Sequence, residues 1–222
     1  MEKVIQFLQD LAVNNNRDWF NANRKWYEEC RKKVLFLTEI LNNEIAKFDS
    51  NVPLMNPKDC MFRIFRDIRF SKNKRPYKTN FGSFIAKGGR KSGNAGYYFH
   101  IEPERSFIGG GVYRPEADSL KAIRLHIEQH ADEFLKIMND KNFTKYFPAL
   151  YDDKLKTAPK GFPKDHKYIE LLRYKSFAFS HEIDNEVLTG DSFIAYAVDA
   201  YKQLYKMNAF LNEALKKSDQ KV

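Results

Sequence analysis

The spacing of apolar residues along this chain changes period four times, and those changes confine it to a mixed architecture. From Glu2 to Val13, Val4, Ile5, Leu8, Leu11 and Ala12 recur at helical intervals. Asn14-Asn15-Asn16 interrupts the pattern and offers N-cap side chains for a second helix, expected over 17–48. Its stripe runs through Trp19, Trp26, Cys30, Val34, Leu37, Leu41, Ile45 and Phe48, and Pro53 and Pro57 close the helical part. From Cys60 onward short alternating runs take over, with candidate strands at 61–66, 81–87, 96–102 and 106–113. Pro103-Glu104-Arg105 reads as a hairpin connection between the last two. Helical spacing returns over 115–140, where Leu120, Ile123, Ile127, Phe134 and Met138 share a face. The segment 143–165 is irregular and aromatic, a helical piece near 168–172 leads into a strand over 174–183, and a helix over 192–216 closes the chain. Helices at both ends of a hairpin-linked middle predict an α+β fold, a mostly antiparallel central sheet flanked by N-terminal and C-terminal helices. With no internal repeat and no linker, one domain over 1–222 is the expectation.

A chain of 222 residues can bury a substantial core without staples. Nineteen Phe and twelve Tyr predict that rings fill much of it. Cys30 and Cys60 are too few for a disulfide framework, and the sequence leaves open whether they pair. The opening Met-Glu-Lys-Val-Ile-Gln lacks the apolar run of a signal peptide, and the longest apolar runs fall short of a bilayer. A cytoplasmic protein without a membrane partner is expected.

The charge is distributed very unevenly. Residues 58–91 hold eleven basic residues and two acids, so this window carries the whole net charge of +9 while the rest of the chain balances. At its centre lies Arg63-Ile64-Phe65-Arg66-Asp67-Ile68-Arg69-Phe70-Ser71-Lys72-Asn73-Lys74-Arg75-Pro76-Tyr77-Lys78. Cations at this density repel unless carboxylates from elsewhere, or an external anion, neutralise them. Arginine presents a planar fork matched to carboxylate and phosphate oxygens, whereas lysine is a mobile point charge. The candidate ligand-binding residues are therefore Arg63, Arg66, Arg69, Lys74 and Lys78, with Asp67 holding Arg69 and Tyr77 flanking.

Four readings fit the cluster. The leading one is a site for a phosphate- or carboxylate-bearing small ligand. A second is an enzyme in which the same arginines hold an anionic substrate and Asp67, His100 or His181 transfers a proton. A third is contact with a nucleic-acid backbone, for which no base-reading motif is present. The fourth is a purely structural arrangement in which arginines tie the sheet to acids on the helices.

Other signals are weaker. His126 and His130 have metal-ligand spacing, but the order His-Ile-Glu-Gln-His lacks the metalloprotease glutamate and no third ligand is apparent, so no metal is expected. Gly109-Gly110-Gly111 fails the dinucleotide pattern because Arg114 stands at its last glycine, and a close backbone approach within a strand explains it better. No nucleophile motif and no cofactor signature appear.

The run Arg63-x-x-Arg66-Asp67-x-Arg69-Phe70-x-x-Asn73-Lys74-x-x-Tyr77-Lys78 resembles the signature of a bacterial conserved-hypothetical family, the domain of unknown function 2461. Asn15-Asn16-Arg17-Asp18-Trp19-Phe20-x-x-Asn23-Arg24-x-x-Tyr27 is similar to that family's N-terminal block. Pro159-Lys160-Gly161-Phe162 with Leu172-x-x-Lys175-Ser176-Phe177 resembles its C-terminal one. The likeness covers essentially the whole chain. It implies a single-domain soluble protein of a family without an established activity, and it supplies no catalytic residue, cofactor or oligomeric state.

Overall fold

The first helix, α1 (Glu2–Val13), buries Val4, Ile5, Phe7, Leu8 and Leu11, the face its spacing predicts. Asn16 caps the next, α2 (Arg17–Ala22), by accepting the Trp19 N–H at 2.9 Å. The single helix expected over 17–48 is in fact two, because Asn23 sits at φ −103°, ψ 19° and starts α3 (Arg24–Ala46) afresh. The Asn23 side-chain amide donates to the Trp19 carbonyl at 2.9 Å, the local competition with backbone bonding that makes asparagine a helix breaker. On α3 the buried stripe is Cys30, Val34, Leu37, Leu41 and Ile45, and it packs against α1.

After α4 (Pro57–Cys60) the strand expected over 61–66 does not form. That stretch changes partner midway. Met61 bridges Ser83 and the Phe62 N–H donates to Gly82, whereas Ile64 and Phe65 pair instead with Lys78 and Tyr77. Neither pairing lasts long enough to make a ladder. The true strands are β1 (Phe81–Ile85), β2 (Gly96–Ile101), β3 (Phe107–Val112) and β4 (Phe177–Glu182), one antiparallel sheet in the order β1-β2-β3-β4.

The helix expected over 115–140 also divides. His130, at φ −127°, separates α5 (Ala117–Gln129) from α6 (Ala131–Met138). Asp140 then caps α7 (Lys141–Tyr146), and α8 (Ile169–Leu172) precedes β4. Strand β4 begins later than its alternation suggests because Tyr174 bridges Lys154 and the Lys175 N–H donates to the Asp153 carbonyl. The chain ends with α9 (Asn185–Thr189) and α10 (Phe193–Asp219). The fold is α+β, with helices before the sheet at the N-terminal end of the chain and after it at the C-terminal end, as the sequence predicts.

These features come from a computed structural model describing residues 1–219. The chain falls into two compact units. The first comprises residues 1–90, 98–108 and 182–198; the second comprises, among the described residues, 91–97, 109–181 and 199–219. In the first, Tyr27 stacks on Phe81 and Thr38 donates to the Ser83 hydroxyl at 3.2 Å or accepts from it, tying α3 to β1. In the second, Phe134, Phe177 and Phe210 lie ring against ring. There Gly109, Gly110 and Gly111 do lie where backbones approach closely: a Cβ at any of them would collide with the carbonyl of Phe179, Gly96 or Phe177 respectively. No helix of the described residues is long and apolar enough to cross a membrane.

Candidate functional site

The basic signature folds into a loop of its own within the first unit. Its neck is closed by two backbone bonds, Arg66 N–H to Pro76 carbonyl at 2.9 Å and Lys78 N–H to Ile64 carbonyl at 2.8 Å. Beyond the neck, side chains turn back onto the loop itself. Arg66 donates from Nη1 to the Arg75 carbonyl (2.9 Å) and from Nη2 to Ser71 Oγ (3.4 Å). Asp67 accepts from the Arg69 backbone N–H (3.2 Å), Nε (3.0 Å) and Nη2 (2.7 Å). Lys74 Nζ donates to the Ile68 carbonyl at 3.1 Å, and Asn73 Oδ1 accepts the Arg75 N–H at 3.0 Å.

These bonds assign roles within the predicted set. Arg66, Asp67, Arg69 and Lys74 are occupied in fixing the loop, although Arg66 and Arg69 keep further N–H donors. The Arg69 guanidinium holds the Asp67 carboxyl below the usual carboxylate range, so Asp67 is an ionised acceptor. Among the described residues, no helix carboxylate pairs with Arg63, Arg66 or Arg69, and the bonds that do form are local.

Tyr77 anchors the neck from below. It is buried, its ring stacked on Phe20 with centroids 3.9 Å apart and planes at 14°. Asn15 clasps its backbone from both sides, Oδ1 accepting the Tyr77 N–H and Nδ2 donating to the Tyr77 carbonyl, each at 3.1 Å. Sequence reading assigned Asn15 only to the helix start and missed this link, since nothing in the pattern joins residues 62 positions apart.

Arg63 and Lys78 differ from the rest. Neither side chain makes a hydrogen bond or ion pair among the described residues, and Lys78 is half-buried with its ammonium 5.6 Å from the Phe62 ring centroid. Burial lowers the pKa of Lys78, and the positive charge of Arg63 lowers it further. Next to Phe62, a row of rings begins on one face of β2: Phe62 lies edge-on to Tyr98 (6.2 Å), and His100 stacks on Phe107 at 4.7 Å and 14°.

Tyr98 and His100 alternate along β2, and Glu102, one residue past its end, continues the alternation onto the same face. Tyr98 Oη lies 2.9 Å from His100 Nδ1, and His100 Nε2 lies 3.4 Å from Glu102 Oε2. A carboxylate can only accept, so Nε2 carries the proton and Nδ1 accepts the Tyr98 hydroxyl. Glu102 Oε1 also accepts from Thr79 Oγ1 (2.9 Å) and Arg105 (3.2 Å). Burial pushes the His100 pKa down; Glu102 opposes the shift, while Arg105 and Lys78 add to it. The imidazole is consequently neutral at neutral pH. Gly82 is part of the device, because a Cβ there would run into the Tyr98 hydroxyl.

His181, the other predicted proton carrier, belongs to the second unit, where its ring meets Tyr146 edge-on at 5.3 Å and Phe147 at 6.4 Å. In the same unit the rings of His126 and His130 are 4.5 Å apart, with His126 buried against Phe210. Among the described residues, no group of three His, Cys, Asp or Glu side chains is placed to hold a metal. Cys30 and Cys60 are both buried free thiols.

A family model described as Conserved hypothetical protein (DUF2461) matches residues 3–210. The chain belongs to this family. No curated protein and no solved structure matches the chain.

Proposed function

We propose that this DUF2461 protein binds a small anionic ligand, bearing phosphate or carboxylate, through Arg63 and Lys78, with the remaining donors of Arg66 and Arg69 on the adjoining loop. The observation that carries this reading is that the Arg63 guanidinium and the Lys78 ammonium lack any hydrogen-bond or ion-pair partner among the described residues although Lys78 is half-buried. A partly desolvated ammonium near a second cation is held at an electrostatic cost that a bound anion would remove. Asp67 and Lys74 serve the ligand indirectly by shaping the loop, and Tyr77 by fixing its neck.

Calorimetric titration with phosphate, pyrophosphate and citrate, each matched to sodium chloride of equal ionic strength, tests the proposal. Arg63→Ala and Lys78→Ala should each weaken binding by roughly 10- to 150-fold, the range for losing a charge-assisted hydrogen bond, without unfolding the protein. No binding beyond chloride, or binding indifferent to both substitutions, refutes it.

A second reading is that the bound anion is a substrate. It is supported by the Tyr98–His100–Glu102 row, in which a neutral imidazole, backed by a carboxylate and bonded to a hydroxyl, lies close enough to Lys78 to feel its charge. Phosphorus NMR of a phosphomonoester incubated with the protein distinguishes turnover, abolished by His100→Gln, from unchanged binding.

A further inference from the structure

The loop that the arginines stiffen also carries an aromatic ring where burial would be the ordinary outcome. Phe70 is 96% exposed, the most exposed large apolar side chain among those in the described residues that are not buried. It is not displaced by disorder of the loop, because Arg66, Asp67, Lys74, Asn73 and the Ser71 N–H to Ile68 carbonyl bond (3.3 Å) all fix the surrounding backbone. Around the ring, residues 66–78 hold six cations against one carboxylate, and that carboxylate is already paired with Arg69. Lys72 and the Arg75 guanidinium are exposed and make no hydrogen bond or ion pair among the described residues. The Arg69 guanidinium lies 5.9 Å from the Phe70 ring centroid.

We infer that the tip of this loop is a docking surface for single-stranded nucleic acid, one base stacking on Phe70 while Arg69, Lys72 and Arg75 meet the flanking phosphates. Stacking on an exposed ring is sequence-tolerant, since every base has a π-face, and surrounding cations supply the backbone contacts. The absence of any base-reading motif in the sequence accords with such a mode. A pre-fixed loop also loses little conformational freedom on binding.

An anionic bilayer would be attracted by the same charge, but the arrangement of rings favours the nucleic acid. The apolar part of the tip is one ring between Arg69 and Ser71, and the exposed rings nearest it in the basic stretch, Phe62 and Phe65, alternate along the chain with Arg63 and Arg66 instead of gathering into an apolar cap. A membrane-inserting tip needs clustered apolar area. The inference goes beyond the small-anion site: the two share Arg69, but Phe70, Lys72 and Arg75 have no part in that site, so the Phe70 and Lys72 variants test the tip separately.

The test is fluorescence anisotropy of labelled oligo(dT) and oligo(U), about 16 nucleotides long, at salt from roughly 50 to 200 mM. Affinity should fall with salt, with a logarithmic slope of about −2 for three phosphate contacts to a single strand. Phe70→Ala should weaken binding about 5- to 150-fold at constant salt, and melting should be unchanged because so little of the ring is buried. Lys72→Ala should weaken every oligonucleotide alike and flatten the slope by about 0.7. The inference is overturned by no binding in low salt, by binding that Phe70→Ala leaves intact, or by Phe70-dependent binding to phosphatidylserine vesicles with none to oligonucleotides.

Discussion

Replacing Gly82 by alanine tests whether the β2 face is assembled as described. The added methyl would collide with the Tyr98 hydroxyl and come within 3.1 Å of two further ring carbons. The ring cannot simply rotate away, because Phe62 and Phe107 flank it at 6.2 and 5.5 Å and its hydroxyl is bonded to His100. Giving way therefore breaks the 2.9 Å hydrogen bond to Nδ1 and disturbs ring packing. The first effect costs about 1 kcal/mol and overpacking raises the total to about 1–3 kcal/mol. Tyr98→Phe alone loses the same hydrogen bond and should cost about 1–2 kcal/mol. In the double variant the hydroxyl is already absent, so the methyl meets only carbons that must shift by a few tenths of an ångström. The double variant should be less destabilised than the sum of the singles by at least about 1 kcal/mol. Urea unfolding followed by tryptophan fluorescence suits the measurement, since Trp19 and Trp26 both lie in the unit that holds Gly82 and Tyr98. Additivity within about 0.5 kcal/mol would show that Gly82 and Tyr98 do not share space, and the geometry assigned to the site would fail with it.

Two further expectations follow from shifted ionisations. The His100 pKa lies below its ordinary 6.5 in the folded protein, so the unfolded chain binds more protons as pH falls through and below that value. Stability should be level above about pH 6.5 with respect to this group and decline below it, and His100→Gln should flatten that decline in melts recorded across the range. Burial, the larger cause in each case, pushes the Cys30 and Cys60 thiols up to about 11. A disulfide-exchange reagent at pH 8 should therefore modify the native protein at least about a hundredfold more slowly than the urea-unfolded chain, and rapid native labelling of either thiol would contradict its burial.

The α+β architecture and the helical stripes on α1 and α3 were legible in the sequence because apolar periodicity is a local property: it repeats within each element and needs no partner to be recognised. The breaks at Asn23 and His130 were not legible. An asparagine or a histidine is tolerated within a helix as well as at its end, and only the backbone trajectory decides which. The segment 61–66 was misread as a strand because its residue types suit one, while the pairing that would have made it one is shared between β1 and the neck of the basic loop.

The same division holds for the candidate site. Sequence alone determined that all the excess charge sits in one window, and that Tyr98, His100 and Glu102 alternate on one strand. Tertiary structure decided how the cations divide: Arg66 and Lys74 turn onto carbonyls of their own loop and Arg69 onto Asp67, while Arg63 and Lys78 are left without such partners. It also decided that Asn15 holds Tyr77 and that Gly82 makes room for Tyr98. The physical reason is that a charge is written into a residue, whereas its neutralisation depends on which acceptors the folded backbone brings within about 3 Å, and residues far apart in the chain acquire that proximity only when the fold closes.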